Sequence, residues 1–598
     1  MQAFNSHTIP LEELLLRRRG LRRQLLARTD LKEIRIAVLG GTTTNELVDL
    51  LEILLLESGF RPVFCQSEYG RYYEDAVLEP EAIAEFKPDL VYIHTCSINI
   101  REFPPVSCSE TDFSGFVQAE VNRYRAIWTS LNDTVGCQII QNNFELPAIA
   151  ILGNLDAVSP GGAIRFINEL NREFALEAAA NARLTLQDLC GISARLGLNR
   201  WFDPERWFSY KIANTVEASF AIAVSLAALI GAMYGRSRKV LVLDLDNTLW
   251  GGVIGDDGPE KIVIGRETPI AEAYTAFQEY CLSLRERGVL LAVCSKNNEE
   301  IAKQGFAHPD SILKLEHFSA FRANWEPKHE NILAIAQELS LGVDSFVFVD
   351  DNPAERAIVE AQIPGIAVPD IGSDVTKFAS IIEAGRYFEL LSLGKEDLTR
   401  AKLYEENAQR TQLERKFANY GEFLDSLEMT AEIGDFNSTY MERITQLTNK
   451  SNQFNLTTRR YTLAEIESTV TDGRHIGIYG KLTDRFGDNG LISVVLGSVQ
   501  GRELHLDLWL MSCRVLKREM EIAMLDGLVE RAREKRIESL VGYYLPTAKN
   551  GMVADHYEKL GFSLLSKDEA SGATIWSLDI TNYAARSRHI EILEPVNG

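Results

Sequence analysis

The chain has 598 residues, too many for one hydrophobic core, and about three domains is the natural expectation. Apolar residues at 45% and charged residues at 25% are ordinary for globular protein, and a net charge of −23 argues against general nucleic-acid binding, because phosphate backbones attract basic surfaces. Eight cysteines lie scattered without a CxxC pair, which suits reduced cytoplasmic thiols better than a disulfide frame or a zinc site. The polar start MQAFNSHTIP lacks the charged-then-apolar order of a signal peptide.

Leu11 to Arg28 has helical periodicity, with Leu14, Leu15, Leu21 and Leu25 set against the run RRRGLRR. Arg17, Arg18, Arg19, Arg22 and Arg23 are either a solvated helix face or a patch that steers an acidic partner. IRIAVLGG (Ile34–Gly41) reads as a strand entering a Gly/Thr turn, and FKPDLVYIHT and LPAIAILGN repeat the strand theme. Strands alternating with helices predict a doubly wound parallel sheet over residues 1–235. Ala218 to Tyr234 carries no charge over 17 residues. That is short of the roughly 20 strongly apolar residues of a membrane span, and the segment is expected to be a buried helix of a soluble protein.

A second α/β domain is expected over 236–385, with strands KVLVLDLDN, GVLLAVCSKN and DSFVFVDDNP. A charged helical linker spans 386–430. In the last region, 431–598, GLISVVLGSVQGRELHLDLWLMS reads as a hairpin of two long strands. The helix EMEIAMLDGLVERAREKR and the strand ESLVGYYL follow it.

Each strand of the second domain ends in polar residues. Ligand sites of open α/β sheets form at the carboxyl ends of the strands, so Asp244 and Asp246, then Ser295, Lys296 and Asn297, then Asp350 and Asp351 should converge on one crevice. One like-charge pair at 4 Å costs about 4 kcal/mol at an effective dielectric near 20. A hard divalent cation, Mg²⁺, would offset such repulsion and leave positions open for a substrate phosphate.

The order DLDNT, CSKN, WEPK and VDDNP resembles the haloacid dehalogenase-like phosphotransferases. The resemblance implies that Asp244 is a nucleophile forming a phospho-aspartate and Asp246 the general acid/base. It further implies that Thr248 shapes the loop, Ser295 and Asn297 meet phosphate, and Lys328 neutralises the nucleophile. Asp244, Asp246, Asp350 and Asp351 become the metal set. Only 33 residues separate Ser295 from Lys328 and 49 separate Asp246 from Ser295, which leaves no room for a large cap on the Rossmannoid core.

With KSNQFNLTTRRY (Lys450–Tyr461), LTDRFGDNGLISV (Leu482–Val494) and WLMSCRVLKREME (Trp509–Glu521), the chain is similar to the FkbH-like family over roughly residues 30 to 580. That resemblance implies a phosphatase and glyceryl transferase. It would draw on 1,3-bisphosphoglycerate, a phosphorylated three-carbon substrate, and leave glyceryl as a thioester on the phosphopantetheine arm of an acyl carrier protein. No membrane and no nucleic-acid partner are expected, and an alternative is a Mg²⁺-dependent phosphatase of polysaccharide or secondary-metabolite biosynthesis whose last domain only binds. The last domain resembles the Gcn5-related acetyltransferase fold, with LHLDLWLMS as the strand beside the pantetheine and CRVLKRE as the phosphate loop. Arg514 fits that loop's pattern, whereas Lys517 and Glu519 stand where small residues belong. Cys513 is either an acyl-carrying thiol or a packed small residue, and Cys294 is its rival, turned away by strand alternation. Among Asn452, Asn455, Arg459, Asp484, Arg485 and Asp488, Arg459 or Arg485 either clamps phosphate or pairs on the surface. His556 is expected to be structural. The first domain resembles the SGNH hydrolase and flavodoxin-like sheets. Its first turn carries Gly41 and Thr42 to Thr44 in place of a serine, and Asp203 lacks the histidine three residues on. Docking rather than hydrolysis is the expectation there.

Overall fold

The structure is a computed structural model that describes residues 11–414, 416–450, 453–512, 515–547 and 550–593. The chain divides into two compact units, one ending at Ala232 and the other running from Met233. The first unit holds a parallel sheet of β1 (Lys32–Gly40), β2 (Phe60–Gln66), β3 (Leu90–His94), β4 (Gln138–Asn142) and β5 (Leu184–Gln187). Their order, β2-β1-β3-β4-β5, is one of the two common doubly wound orders, that of the flavodoxin-like folds. The expected strand at LPAIAILGN is not one. Pro147 interrupts it, Ile149 and Ile151 are exposed, and the segment is a loop leading into a 3₁₀ turn at Gly153–Ala157. The real fourth strand is QIIQN, whose Gln141 and Asn142 are buried but polar, which hid it from a hydrophobic pattern.

The helix Val216–Met233 is long and apolar enough by length and composition to cross a membrane, with a mean hydropathy of 1.9. Half of it is buried, and Gln187 at the end of β5 donates from its side chain to the Ile222 carbonyl at 3.0 Å, inside the core. That packing is of a core helix.

The second unit holds two sheets. One is all parallel, β8-β7-β6-β9, built from β6 (Val240–Leu243), β7 (Leu290–Ser295), β8 (Phe318–Ala323) and β9 (Phe346–Val349). β6, β7 and β9 are buried on both faces, as helix-covered parallel strands must be, while the edge strand β8 is only partly buried. The other sheet is mostly antiparallel. It comprises β10 (Met429–Asp435), β11 (His475–Asp484), β12 (Gly487–Gln500), β13 (Glu503–Met511), β14 (Ser539–Tyr544), β15 (Ser563–Lys567), β16 (Thr574–Asp579) and β17 (Ile590–Leu593). Their order is β15-β16-β14-β13-β12-β11-β10-β17. The hairpin expected over Gly490–Ser512 is β12 and β13, paired antiparallel. The linker contains the helix Arg400–Glu414, which joins both sheets. Arg400 donates to the Gly288 carbonyl at 2.8 Å beside β7, and Arg410 pairs with Asp484 at the end of β11.

Candidate phosphoryl-transfer site

Asp244 follows β6, and its amide donates to the Val349 carbonyl at 3.0 Å, which fixes it beside the end of β9. The chain then reverses. Asn247 adopts a left-handed φ of 56°, which asparagine tolerates better than most side chains, and its Oδ1 accepts from the Gly252 amide at 3.0 Å. Thr248, fully buried, accepts from the Asp351 amide at 3.3 Å and so ties the β6 loop to the β9 loop.

Among the described residues, one group of acids is placed to hold a cation. It is Asp244, Asp350 and Asp351, with an oxygen of each within 4.8 Å of the others. Lys328, the first residue of the helix Lys328–Glu338, sets its ammonium 2.9 Å from Asp244 Oδ1 and 2.6 Å from Asp350 Oδ2. The second Asp350 oxygen accepts from the Asn352 amide at 2.9 Å. Arg356 donates to the main-chain carbonyls of Asp350 at 2.7 Å and Asp351 at 2.8 Å, and pairs with Asp370.

Asp246 departs from the expected metal set. Its Oδ1 accepts from the Trp250 indole at 2.9 Å and the Ile254 amide at 3.1 Å, and its Oδ2 accepts from Asn297 at 2.8 Å. Its partners lie in the loop after β6 and the loop after β7, and it is not one of the three grouped acids. Asn297, expected on phosphate, gives its amide to Asp246. Ser295, nearly buried, ends β7, and its carbonyl accepts from the Asn324 amide at 3.2 Å. Lys296 pairs with Glu355 at 2.6 Å.

Burial pushes the Asp350 and Asp351 carboxyls up, the Asp244 charge adds to this, and Lys328 opposes it. Burial also raises Asp246, against its hydrogen-bond donors. Burial works against the Lys328 ammonium, but Asp244 and Asp350 hold its pKa above the ordinary value. The three grouped carboxylates face one ammonium, Lys328, in a largely buried crevice, which leaves negative charge in excess there. Oxygen donors with that imbalance fit Mg²⁺.

Cys513, Arg514 and Asn452 lie outside the described residues. Lys517 and Glu519 take left-handed φ values of 64° and 60°, a conformation that favours the small residues expected there. Arg459 is exposed and pairs with Asp507 at 3.0 Å, and Arg485 donates to the Ser426 carbonyl at 3.1 Å, so the partners of both lie around the third sheet. Asp484 is buried between Arg410 and Arg518. Asp488 caps the turn at Gly490. Cys294 is buried in the core, where burial pushes its thiol up. His556 packs against the Phe454, Trp509 and Tyr557 rings. In the first unit Asp203 caps the helix Pro204–Tyr210, and Arg17, Arg18 and Arg22 pair with Glu13, Asp49 and Glu52.

Sequence reasoning missed Trp250 and Arg356. An indole in an apolar run four residues after an acid was the available signal for Trp250. Nothing in the sequence pointed to Arg356, whose targets are main-chain carbonyls.

Neither a protein-family model nor a curated relative matches the sequence. Solved structures do. The N-terminal part of the protein BF1531 from Bacteroides fragilis, containing a phosphatase domain and complexed with Mg, is 31% identical. That match covers 63% of this chain and 99% of the neighbour, with a TM-score of 0.58. The Escherichia coli ribosomal-protein-S18-alanine N-acetyltransferase is 14% identical over 27% of this chain and 99% of its own, at a TM-score of 0.21. Spermidine N-acetyltransferase from Vibrio cholerae is 10% identical over 25% of this chain and 96% of its own, also at 0.21. Likeness at those last scores says nothing of activity. Through its extent and identity with the first neighbour, the chain belongs to the same family as the BF1531 phosphatase-domain protein.

Proposed function

We propose that this protein is a Mg²⁺-dependent phosphatase of the haloacid dehalogenase-like type, coupled in FkbH-like fashion to acyl transfer. Its substrate is 1,3-bisphosphoglycerate and its product a glyceryl thioester on an acyl carrier protein. The observation that carries the reading is Lys328 held between Asp244 and Asp350 while Asp351 completes a three-acid group. The Mg²⁺-bound neighbour supports the choice of ion.

In this reading the Asp244 carboxylate attacks phosphorus, the ester P–O bond breaks, and Asp246 protonates the departing oxygen. Water then cleaves the aspartyl phosphate, giving its proton back to Asp246. Lys328 balances charge on the nucleophile and the phosphoryl oxygens. Trp250, the Ile254 amide and Asn297 orient Asp246. Asp244, Asp350 and Asp351 would hold the Mg²⁺, which when bound polarises the phosphoryl group. On the acyl side, the carrier thiol attacks the C1 carbonyl, the bond from C1 to the phosphate oxygen breaks, and phosphate leaves with the thiol proton.

A second reading, a phosphatase whose last domain only binds, is favoured by Glu519 and Glu521 at the start of the helix Met520–Glu534. These acids would repel a phosphate there. Incubation with 1,3-bisphosphoglycerate and holo-carrier, followed by phosphate assay and intact mass, separates the two. A glyceryl adduct on the carrier supports the first. Phosphate release without an adduct on any carrier supports the second. No phosphate release from the wild type refutes both.

A further inference from the structure

Surface loops are polar as a rule, and the loop after β4 is not. From Leu146 to Ile164 the only ionisable residue is Asp156, on a chain whose net charge is −23. Aliphatic side chains stand out into solvent there. Ile149 is 76% exposed, Ile151 82%, Leu155 58% and Val158 67%. The residues between them, among them Ala148, Ala150, Gly153 and Ala157, are exposed as well. Single exposed aliphatics are ordinary, whereas a contiguous uncharged group of them marks an association surface.

The loop is built to hold them outward. Asp156 is buried, and its carboxylate accepts from the Leu152 amide at 3.2 Å and the Ile164 amide at 2.8 Å. Successive turns close through the main chain, with Gly153 donating to the Ala150 carbonyl at 3.1 Å, Val158 to Leu155 at 3.0 Å and Gly162 to Ser159 at 2.9 Å. Gly162 packs on Asp156 so tightly that a Cβ would run into the Asp156 carbonyl. Gly161 lies on the main chain of Pro105 and Val106, where a Cβ would sit 2.6 Å from both carbonyl oxygens. That contact brings a fifth exposed aliphatic, Val106, beside the loop. The one charge of the segment therefore serves the inside, and the outer surface is neutral. At the rim, Arg165 donates to the Val158 carbonyl at 2.8 Å and joins Glu110 through two bonds of 2.7 Å.

We propose that this face is where two copies of the chain associate. Two molecules of net charge −23 repel wherever their acidic surfaces meet, and an uncharged face is where that repulsion is least. A twofold contact sets the same patch against itself. Apolar then meets apolar, no unpaired charge is buried, and the rim pair of Arg165 and Glu110 is complementary to its own copy. An acidic protein or an anionic membrane gains no countercharge here. The patch is of the size of the apolar centre within the roughly 800 Å² that each partner of a stable dimer covers.

Sedimentation velocity on the full chain, over a wide concentration range at low and high salt, tests this. The wild type should form a dimer that tightens as salt rises, because salt screens the repulsion and leaves the apolar contact intact. Ile151→Asp should weaken association about 100-fold or more by setting like charges face to face, and Ile149→Asp should act in the same direction. Leu176→Asp adds the same charge at an exposed position of the helix Ala163–Ala180, outside the loop, and should change association by no more than about twofold. All three side chains are exposed, so no substitution opens the core, and thermal unfolding checks that each variant is folded. A monomer at every concentration and salt, a dimer that loosens as salt rises, or a dimer indifferent to both isoleucine variants overturns the proposal. A monomeric wild type that binds vesicles of zwitterionic lipid through Ile151 assigns the face to a membrane and overturns it too.

Discussion

Asp350 and Asp484 are both carboxylates withdrawn from solvent in the same compact unit, and their surroundings are built on opposite plans. Asp484 sits between two guanidiniums, with Arg410 at 2.7 and 2.9 Å and Arg518 at 2.9 Å, and Glu406 lies 3.6 Å from Arg410. Two acids meet two bases, and the charge closes. It also joins three segments: the linker helix, the end of β11, and the loop before the helix Met520–Glu534. Asp350 is grouped with two more carboxylates, Asp244 and Asp351, against one ammonium, Lys328. A balanced buried cluster is architecture. An unbalanced one has a cost in stability that only a ligand or a cation can offset, and such sites are where chemistry is arranged.

The sharpest way to break this comparison is to remove one acid from each cluster. Asp244→Asn should lower phosphate release by about 10⁴-fold or more while leaving the cation-free protein as stable as the wild type or more so, because a like charge is lost. Steady-state kinetics and thermal unfolding check both halves. Asp484→Asn should do the reverse. It should cost about 3–5 kcal/mol of stability by leaving Arg410 and Arg518 short of a buried partner, and should spare turnover in the molecules that remain folded. Denaturant titration reads this.

Mg²⁺ sharpens the contrast further. It should raise the unfolding temperature of the wild type, and chelator should abolish both that gain and turnover. Asp351→Asn should weaken Mg²⁺ at least about tenfold by calorimetry, while Asp484→Asn leaves its affinity unchanged.

The smallest effect concerns a buried ionisable group outside either cluster. Burial drives the His556 imidazole down to about 3, and its Nε2 makes no hydrogen bond among the described residues. A folded-state pKa below the unfolded one contributes stability that is present above pH 6.5 and lost as pH falls toward 3, by up to about 1.4 kcal/mol per unit. His556→Phe should therefore flatten the acid side of the stability profile, by about 2 kcal/mol at pH 5, with little change at pH 8.

Much of the crevice was legible because its chemistry is local. DLDNT, CSKN and VDDNP each place polar residues directly after an apolar run, and parallel strands bring their carboxyl ends to one edge. What could not be read was where each carboxylate points. Asp246, expected in the metal set beside Asp244, instead accepts from Trp250, the Ile254 amide and Asn297. Gln138–Asn142 escaped notice because a strand capped by buried polar groups has no hydrophobic period, whereas the apolar Leu146–Leu152 mimicked one on an exposed loop. Phe454–Leu456 carries no strand pattern, since its place is set by a gap between two other strands.

By itself the sequence determined that strands and helices alternate, that four acids follow two strands of one sheet, and that a cation should answer them. These follow from periodicity and from charge, which are properties of short stretches of chain. The tertiary structure decided which acids group within reach of one cation, which bury themselves against arginine, and which loop fills the gap beside β13. Those outcomes depend on side chains dozens of residues apart satisfying one another's charge and hydrogen bonds, and no short stretch of chain holds that information.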